Sequence, residues 1–180
     1  MRRAVLMAGV FWASMMLSVI GGVQSSYAQL PSWLETSPQL VGEARFRLFF
    51  FDIYQAALLT PDGRYDGAAP YALRLSYMRD VSSKTIVDTS LDEMRRQASG
   101  NESKLEEWAD WMGQHFPDMK NGDEAVMVAL TNGGMALYHN QVKLGQMDDP
   151  AFTDAFFAIW LSDNALKPDL SRQLRGLRKE

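Results

Sequence analysis

Two arginines at alternate positions, Arg45 and Arg47, open the stretch "ARFRLFFFDIYQAALLT", residues 44–60, and run into Phe49, Phe50 and Phe51. Arginine suits a planar carboxylate or a delocalised oxyanion, because its guanidinium fork donates two parallel hydrogen bonds. Such a bond strengthens beside an apolar, low-dielectric wall. Strand alternation places Arg45, Arg47, Phe49 and Phe51 on one face and Phe46, Leu48 and Phe50 on the other. This is a cation beside a slot for an acyl chain or an aromatic ligand. The competing reading is that both arginines snorkel from an edge strand and guard it against aggregation.

Other chemistries find little support. The chain has no cysteine, which excludes a disulfide framework, thiol catalysis and thiolate metal sites. Its two histidines, His115 and His139, stand far apart without ligand spacing, and His115 falls at a helix end, where its charge suits the dipole. No H-x-x-x-H, EF-hand, P-loop or G-x-S-x-G pattern occurs. Neither a metal nor a cofactor is expected. Asp148-Asp149 reads as a helix cap. Asn101-Glu102-Ser103 matches a glycosylation sequon, which matters only in a eukaryotic secretory path. Trp108, Trp111 and Trp160 lie on helical patterns and read as core.

The first 28 residues read as a secretory signal. Arg2 and Arg3 precede an uncharged, largely apolar run from Ala4 to Val23, and Ser26 and Ala28 occupy the small positions of a cleavage site. Cleavage after Ala28 by Sec-type export into a periplasm is expected, and an uncleaved anchor is the alternative. Without residues 1–28 the chain loses two cations against the same 22 carboxylates, so its net charge moves from −4 to −6. No basic stripe is visible, and a nucleic acid partner is not expected. Membrane contact is expected only through the signal segment before cleavage. The oligomeric state stays open.

The elements that must position the arginines follow from periodicity. Residues 29–37 form a lead-in segment, within a stretch 29–40 that holds two prolines, and one domain spans 38–177. Val41 to Thr60 reads as one long strand region or two strands with a bend near Asp52. Residues 71–80, "YALRLSYMRD", alternate as a strand after a turn-rich connection. The period then changes. Ser82 to Ala98 reads as a helix with Ile86, Val87, Leu91 and Met94 inward, interrupted by "SGNES". Ser103 and Glu106 fit a capping box ahead of a helix carrying Leu105, Trp108, Ala109, Met112 and Phe116. Pro117 ends it. "EAVMVAL", "TNGG" and "MALYHN" predict a hairpin turning at Asn132-Gly133, which "QVKLGQ" extends. Asp149-Pro150 starts a helix that is apolar nearly all round. The class is α+β: an antiparallel sheet with helices on one side.

In this order the pieces resemble the chalcone isomerase-like family, in its bacterial exported branch. The matching elements are "VGEARFRLFFFDIYQAALLTPDG", "YALRLSYMRDVSSKTIVDTSLDEMRRQ", "WADWMGQHFPDMKNGDEAVMVAL", "GMALYHNQVKLGQMDDPAFTDAFFAIWL" and "PDLSRQLRG". The resemblance implies an open-faced β-sandwich: a large antiparallel sheet covered by helices, with a ligand cleft between. It also implies divided functions. Plant enzymes of the family cyclise chalcones to flavanones, and related plant proteins without that activity bind fatty acids.

Ring closure needs a cation for the attacking phenolate and hydroxyl donors for the enone oxygen. By resemblance, Arg45 is the counterpart of the family's arginine, with Arg47 as the alternate. The enzymes' threonine five positions before the strand tyrosine, Tyr54, is Phe49 in this sequence. From Val81 to Glu107 there is no tyrosine to match theirs. The expectation is therefore a non-catalytic exported domain that binds a small amphipathic, fatty-acid-like ligand. Arg45 or Arg47 would hold an acidic head group, with Phe49, Phe51, Tyr54 and Tyr77 near the ligand. The alternatives are an isomerase of the intramolecular lyase type using Arg45, Tyr54 and Tyr77, and a structural or interaction module of the cell envelope.

Overall fold

Alternating apolar side chains drive six strands into one antiparallel meander. The protein is a computed structural model that describes residues 29–97 and 102–177, with side chains throughout except at 102 and 103. The strands are β1 (Gln39–Leu48), β2 (Phe51–Thr60), β3 (Tyr71–Tyr77), β4 (Glu124–Ala129), β5 (Met135–His139) and β6 (Val142–Met147). They pair strictly in sequence order, β1-β2-β3-β4-β5-β6. The helices are α1 (Ser32–Thr36), α2 (Ser83–Gln97), α3 (Glu102–His115), α4 (Pro150–Leu161) and α5 (Pro168–Leu174). The class is the expected α+β: an antiparallel sheet with helices packed on it.

The inner face of the sheet carries a row of large residues in register, Leu58, Leu73, Met127 and Leu137. Helix α4 supplies Phe152, Phe156 and Phe157 to the same core, with Met94 from α2 and Met112 from α3. All five are buried, and each contributes about 1.5–3 kcal/mol by removal from water. Asp149 caps α4 by accepting the Ala151 N–H at 2.9 Å, and Pro150 takes the first helical position. The Trp108 indole N–H and the Lys104 ammonium also reach the Asp149 carboxylate, tying α3 to the start of α4.

Four expectations need correction. The break in the first strand region lies at Phe49-Phe50, not near Asp52. Leu48 pairs with Phe51 across a two-residue turn in which Phe49 has φ +54°. Ser103 falls inside α3 and so is not its cap; the "SGNES" break lies largely outside the described residues. The lead-in is part of the fold, because α1 lays Leu34 against Leu59, Ala72, Val126 and Val128 on the outer face of the sheet. Helices therefore cover both faces, although α2, α3, α4 and α5 all take the inner one. In α2, Met94 is buried as expected, while Ile86, Val87 and Leu91 are half-buried and the polar Ser90 and Glu93 are buried.

Helix α5 crosses β1 at Gly42. A Cβ there would stand 2.2 Å from the Gln173 carbonyl oxygen, so only glycine permits this approach. The β5–β6 connection turns on Asn140 and Gln141, both at positive φ. Asp123 holds this turn. Its carboxylate accepts from the Asn140 side chain at 2.9 Å and the Lys120 N–H at 2.8 Å, and it faces His139 Nε2 at 3.1 Å. The Asn140 amide, with the Lys120 N–H and His139, lowers the Asp123 pKa to about 2. A depressed carboxylate stabilises the fold above its unfolded pKa, near 4, and that contribution fades as pH falls toward 2. Urea titrations of the wild type and Asp123→Asn should therefore differ most at neutral pH and converge near pH 2.

Candidate functional site

Between the sheet and α2, α4 and α5 lies an apolar cavity of about 700 Å³. Its floor is possible because one row across the sheet carries small side chains: Ala44 pairs with Ala56, and Ala125 follows beyond Leu75. Beside this row stands an aromatic wall in register, Phe46 with Tyr54 and Tyr54 with Tyr77. The Phe46 and Tyr54 rings stack at 5.0 Å, and those of Tyr54 and Tyr77 lie 5.6 Å apart. Trp160 on α4 donates its indole N–H to the Tyr54 hydroxyl at 2.9 Å. Burial pushes the Tyr54 phenol well above its ordinary value, and the Trp160 bond offsets only part of that. Burial likewise raises Tyr77. Both hydroxyls are therefore neutral donors at physiological pH and not bases. The Tyr77 hydroxyl has no hydrogen-bond partner among the described residues.

A β-bulge shapes the near end of the cavity. The register shifts between Phe46 and Arg47, so Ile53 is an extra residue on β2. Ile53 and its neighbour Tyr54 consequently both line the cavity, together with Leu48. The rim comes from Ser82, just before α2, and from Thr85, Ile86, Thr89, Glu93 and Arg96 of α2, which recur at helical spacing along the opening.

Glu93 is a hinge-point of this rim that sequence reading missed. Only 8% of its surface is exposed. Its carboxylate accepts from Arg96 Nε and Nη2, from the Gln97 side chain and from the backbone N–H of Leu166. Arg96 also donates to the Asn164 carbonyl. One helix end therefore clamps the segment between α4 and α5, which forms the far wall. The Arg96 bond holds Glu93 below the usual carboxylate range despite burial. The visible signal was Glu93-x-x-Arg96, an i, i+3 pair within one turn.

The structure divides the six expected ligand residues. Tyr54 and Tyr77 line the cavity; Arg45, Arg47, Phe49 and Phe51 do not. Arg45 and Arg47 point to the opposite side of β1, where both pair with Asp52, at 3.2 Å and 2.5 Å. Hydrogen bonding from Arg47 lowers the Asp52 pKa. The two arginines border a shallow groove of about 640 Å³ against the start of α5. Phe49 stands at the turn, and Phe51 lies under the Arg79 guanidinium at 4.0 Å. Alternation had put Phe46 opposite Arg45, and that opposite face proves to be the one the helices cover.

Groove and cavity are neighbours. Leu166, Lys167 and Leu170 line both. Lys167 has no ion-pair partner among the described residues. Ser171, one turn further along α5, is 1% exposed on the cavity wall with its hydroxyl unpartnered. Neither histidine lines the cavity: His115 donates Nδ1–H to the Trp111 carbonyl at 2.8 Å, and His139 faces Asp123. Among the described residues no cluster of three His, Asp or Glu is arranged to hold a metal.

Comparison with known proteins agrees with this architecture. Residues 34–176 match the family described as chalcone isomerase-like. An uncharacterized protein of Haemophilus influenzae is 28% identical over 142 residues, which are 78% of this chain and 69% of that one. The crystal structure of an Arabidopsis thaliana fatty-acid binding protein superposes with a TM-score of 0.62 at 9% identity. It covers 82% of this chain and 91% of the plant one. At that identity the likeness is one of fold.

Removing the clamp should loosen the cavity wall. Glu93→Gln leaves Arg96 without its counter-charge and is expected to destabilise the fold by about 2–3 kcal/mol, read as a lower urea midpoint with unchanged slope.

Proposed function

Since the chain belongs to the chalcone isomerase-like family, we propose that it is an exported, non-catalytic binding protein for a small amphipathic molecule with an acidic head group. The observation that carries this reading is the apolar cavity whose far wall, Leu166, Lys167 and Leu170, is shared with the arginine-bordered groove. The cavity volume lies within the roughly 300–1,000 Å³ typical of ligand pockets. An acyl tail gains by leaving water for the Ala44, Ala56 and Ala125 row and the aromatic wall. A carboxylate head gains at Lys167, the cation in the wall not committed to a carboxylate of the described residues, with the Ser171 hydroxyl one turn away. Arg45 and Arg47 add to the positive field from the groove, though Asp52 offsets one of their two charges. The fold relative from Arabidopsis thaliana is itself a fatty-acid binding protein, which supports this class of ligand.

Mass spectrometry of lipid extracted with the native protein is the direct test. An acidic amphiphile should be present at near-stoichiometric amounts. Lys167→Ala should lower its retention about tenfold, a loss of one charge-assisted contact. Arg45→Ala should have a smaller effect, because Asp52 already draws on that guanidinium. Absence of any acidic amphiphile, with unchanged uptake in both variants, removes the reading.

A second reading, an isomerase of the intramolecular lyase type, draws on Tyr54 and Tyr77, two neutral donors facing one cavity. It lacks the arginine expected beside them, since Arg45 lies on the other side of β1, and Phe49 in the threonine position sits at the turn. Loss of chalcone absorbance faster than the spontaneous rate, abolished by Tyr77→Phe, would favour it. The open cavity speaks against a purely structural envelope module.

Export to the periplasm rests on the Arg2-Arg3 start, the apolar run and the small residues before Gln29. Intact-mass measurement of protein released from the periplasm should give a chain beginning at Gln29. A chain that retains residues 1–28 and stays with the membrane would identify an anchor instead.

A further inference from the structure

The β1–β2 turn presents four consecutive apolar residues to solvent: Leu48, Phe49, Phe50 and Phe51. Their exposures are 53%, 86%, 98% and 51%. Two adjoining phenylalanines that are nearly fully exposed at a protruding tip are covered by almost nothing among the described residues. Nor does the turn itself favour them. Phe49 has φ +54°, the first central position of a two-residue turn, where glycine is preferred and a bulky residue is strained.

The surroundings of the tip are cationic. Arg45 and Arg47 flank it on β1 and share one carboxylate, Asp52, which leaves one positive charge in excess. Arg79 stacks on Phe51 and adds a second. Asp80, next in sequence, has its charge balanced by Lys120 at 3.3 Å and accepts a hydrogen bond from the Asn121 N–H. The local charge is thus opposite in sign to that of the whole chain, which is −4. Aromatic side chains ringed by arginine are what the boundary between acyl chains and anionic headgroups favours: the rings enter, and the guanidinium groups stay with the phosphates.

We propose that the 48–51 tip is a membrane-docking element that inserts into the surface of a bilayer containing anionic lipid. This goes beyond the expected contact through residues 1–28 alone. The tip also stands at the cavity: Leu48 is at once exposed and part of the cavity lining, with Ile53 behind it. Docking would therefore bring the near end of the cavity against the acyl region. Docking stands on the tip itself and does not require the ligand reading. A protein with an empty cavity would dock equally.

Vesicle co-sedimentation tests it with the chain from residue 29 onward, which contains every described element and both cores. Vesicles of phosphatidylcholine are compared with vesicles also containing phosphatidylglycerol, at low and high salt. Binding to the anionic vesicles should exceed binding to the neutral ones about tenfold, and salt should weaken it. Phe49→Gly with Phe50→Ser supplies the residue that the turn prefers. This double variant should match or exceed the wild-type melting temperature yet lose vesicle binding about tenfold or more. Arg79→Gln, which removes one of the two excess charges, should keep the fold and reduce the preference for phosphatidylglycerol. Equal binding by wild type and double variant overturns the proposal, as does no binding by the wild type. Conversion of a wild-type dimer to a monomer by the double variant, without vesicle binding, also overturns it and makes the tip a contact between two copies. Lipid extraction from the double variant separates docking from loading: retained ligand with lost docking leaves the cavity reading intact.

Discussion

A β-strand has two faces, and the pairing of Phe46 with Tyr54 decides which one every side chain of the first hairpin takes. That pairing sets Phe46, Tyr54 and, through β3, Tyr77 beneath the helices, and sends Arg45 and Arg47 to the other side. A slip of one residue would exchange the two sets. It would bury two guanidinium groups under α4 and α5 and expose the aromatic wall. The desolvation of two arginines without carboxylates to meet them is several kcal/mol unfavourable, so the register has little freedom. The cavity, its donors and its polar rim all follow from this one choice.

The cavity then survives because the inner face is deliberately uneven. Where Leu58, Leu73, Met127 and Leu137 cross the sheet, α4 packs its phenylalanines down onto them. Where Ala44, Ala56 and Ala125 cross it, the side chains are too short to reach the helices. Close packing elsewhere holds the helices up, since interiors are dense and do not collapse freely. The Glu93–Arg96 clamp keeps the α4–α5 segment in place over the gap, and Gly42 lets α5 approach the edge strand closely enough to close that side.

The elements themselves were legible in the chain. Alternation marked β3, the Asn132-Gly133 turn marked the second hairpin, and Asp149-Pro150 marked the start of α4; each is a local signal whose physics is complete within a few residues. The α+β class followed from their order. The capping box at Ser103 and Glu106 shows the limit of such signals, because the same spacing also occurs inside a helix. The break in the first strand region was misplaced for a related reason: Phe49-Phe50 lacks the glycine and asparagine that normally announce a turn.

The site was legible only in part. The sequence by itself determined that arginines and aromatics alternate between residues 45 and 54, that no thiol chemistry is possible, and that Tyr54 and Tyr77 lie on strands. It could not tell which face of the first strand the helices cover. Alternation gives relative sides and never absolute ones, and covering a face depends on elements more than 100 residues away, α4 and α5. The tertiary structure made that decision. It also brought Lys167 and Ser171 to the cavity wall, buried Glu93 as a clamp and left the 48–51 tip in solvent. The first two rest on contacts between segments distant in sequence and the third on the lack of a covering segment among the described residues, and no local pattern carries that information.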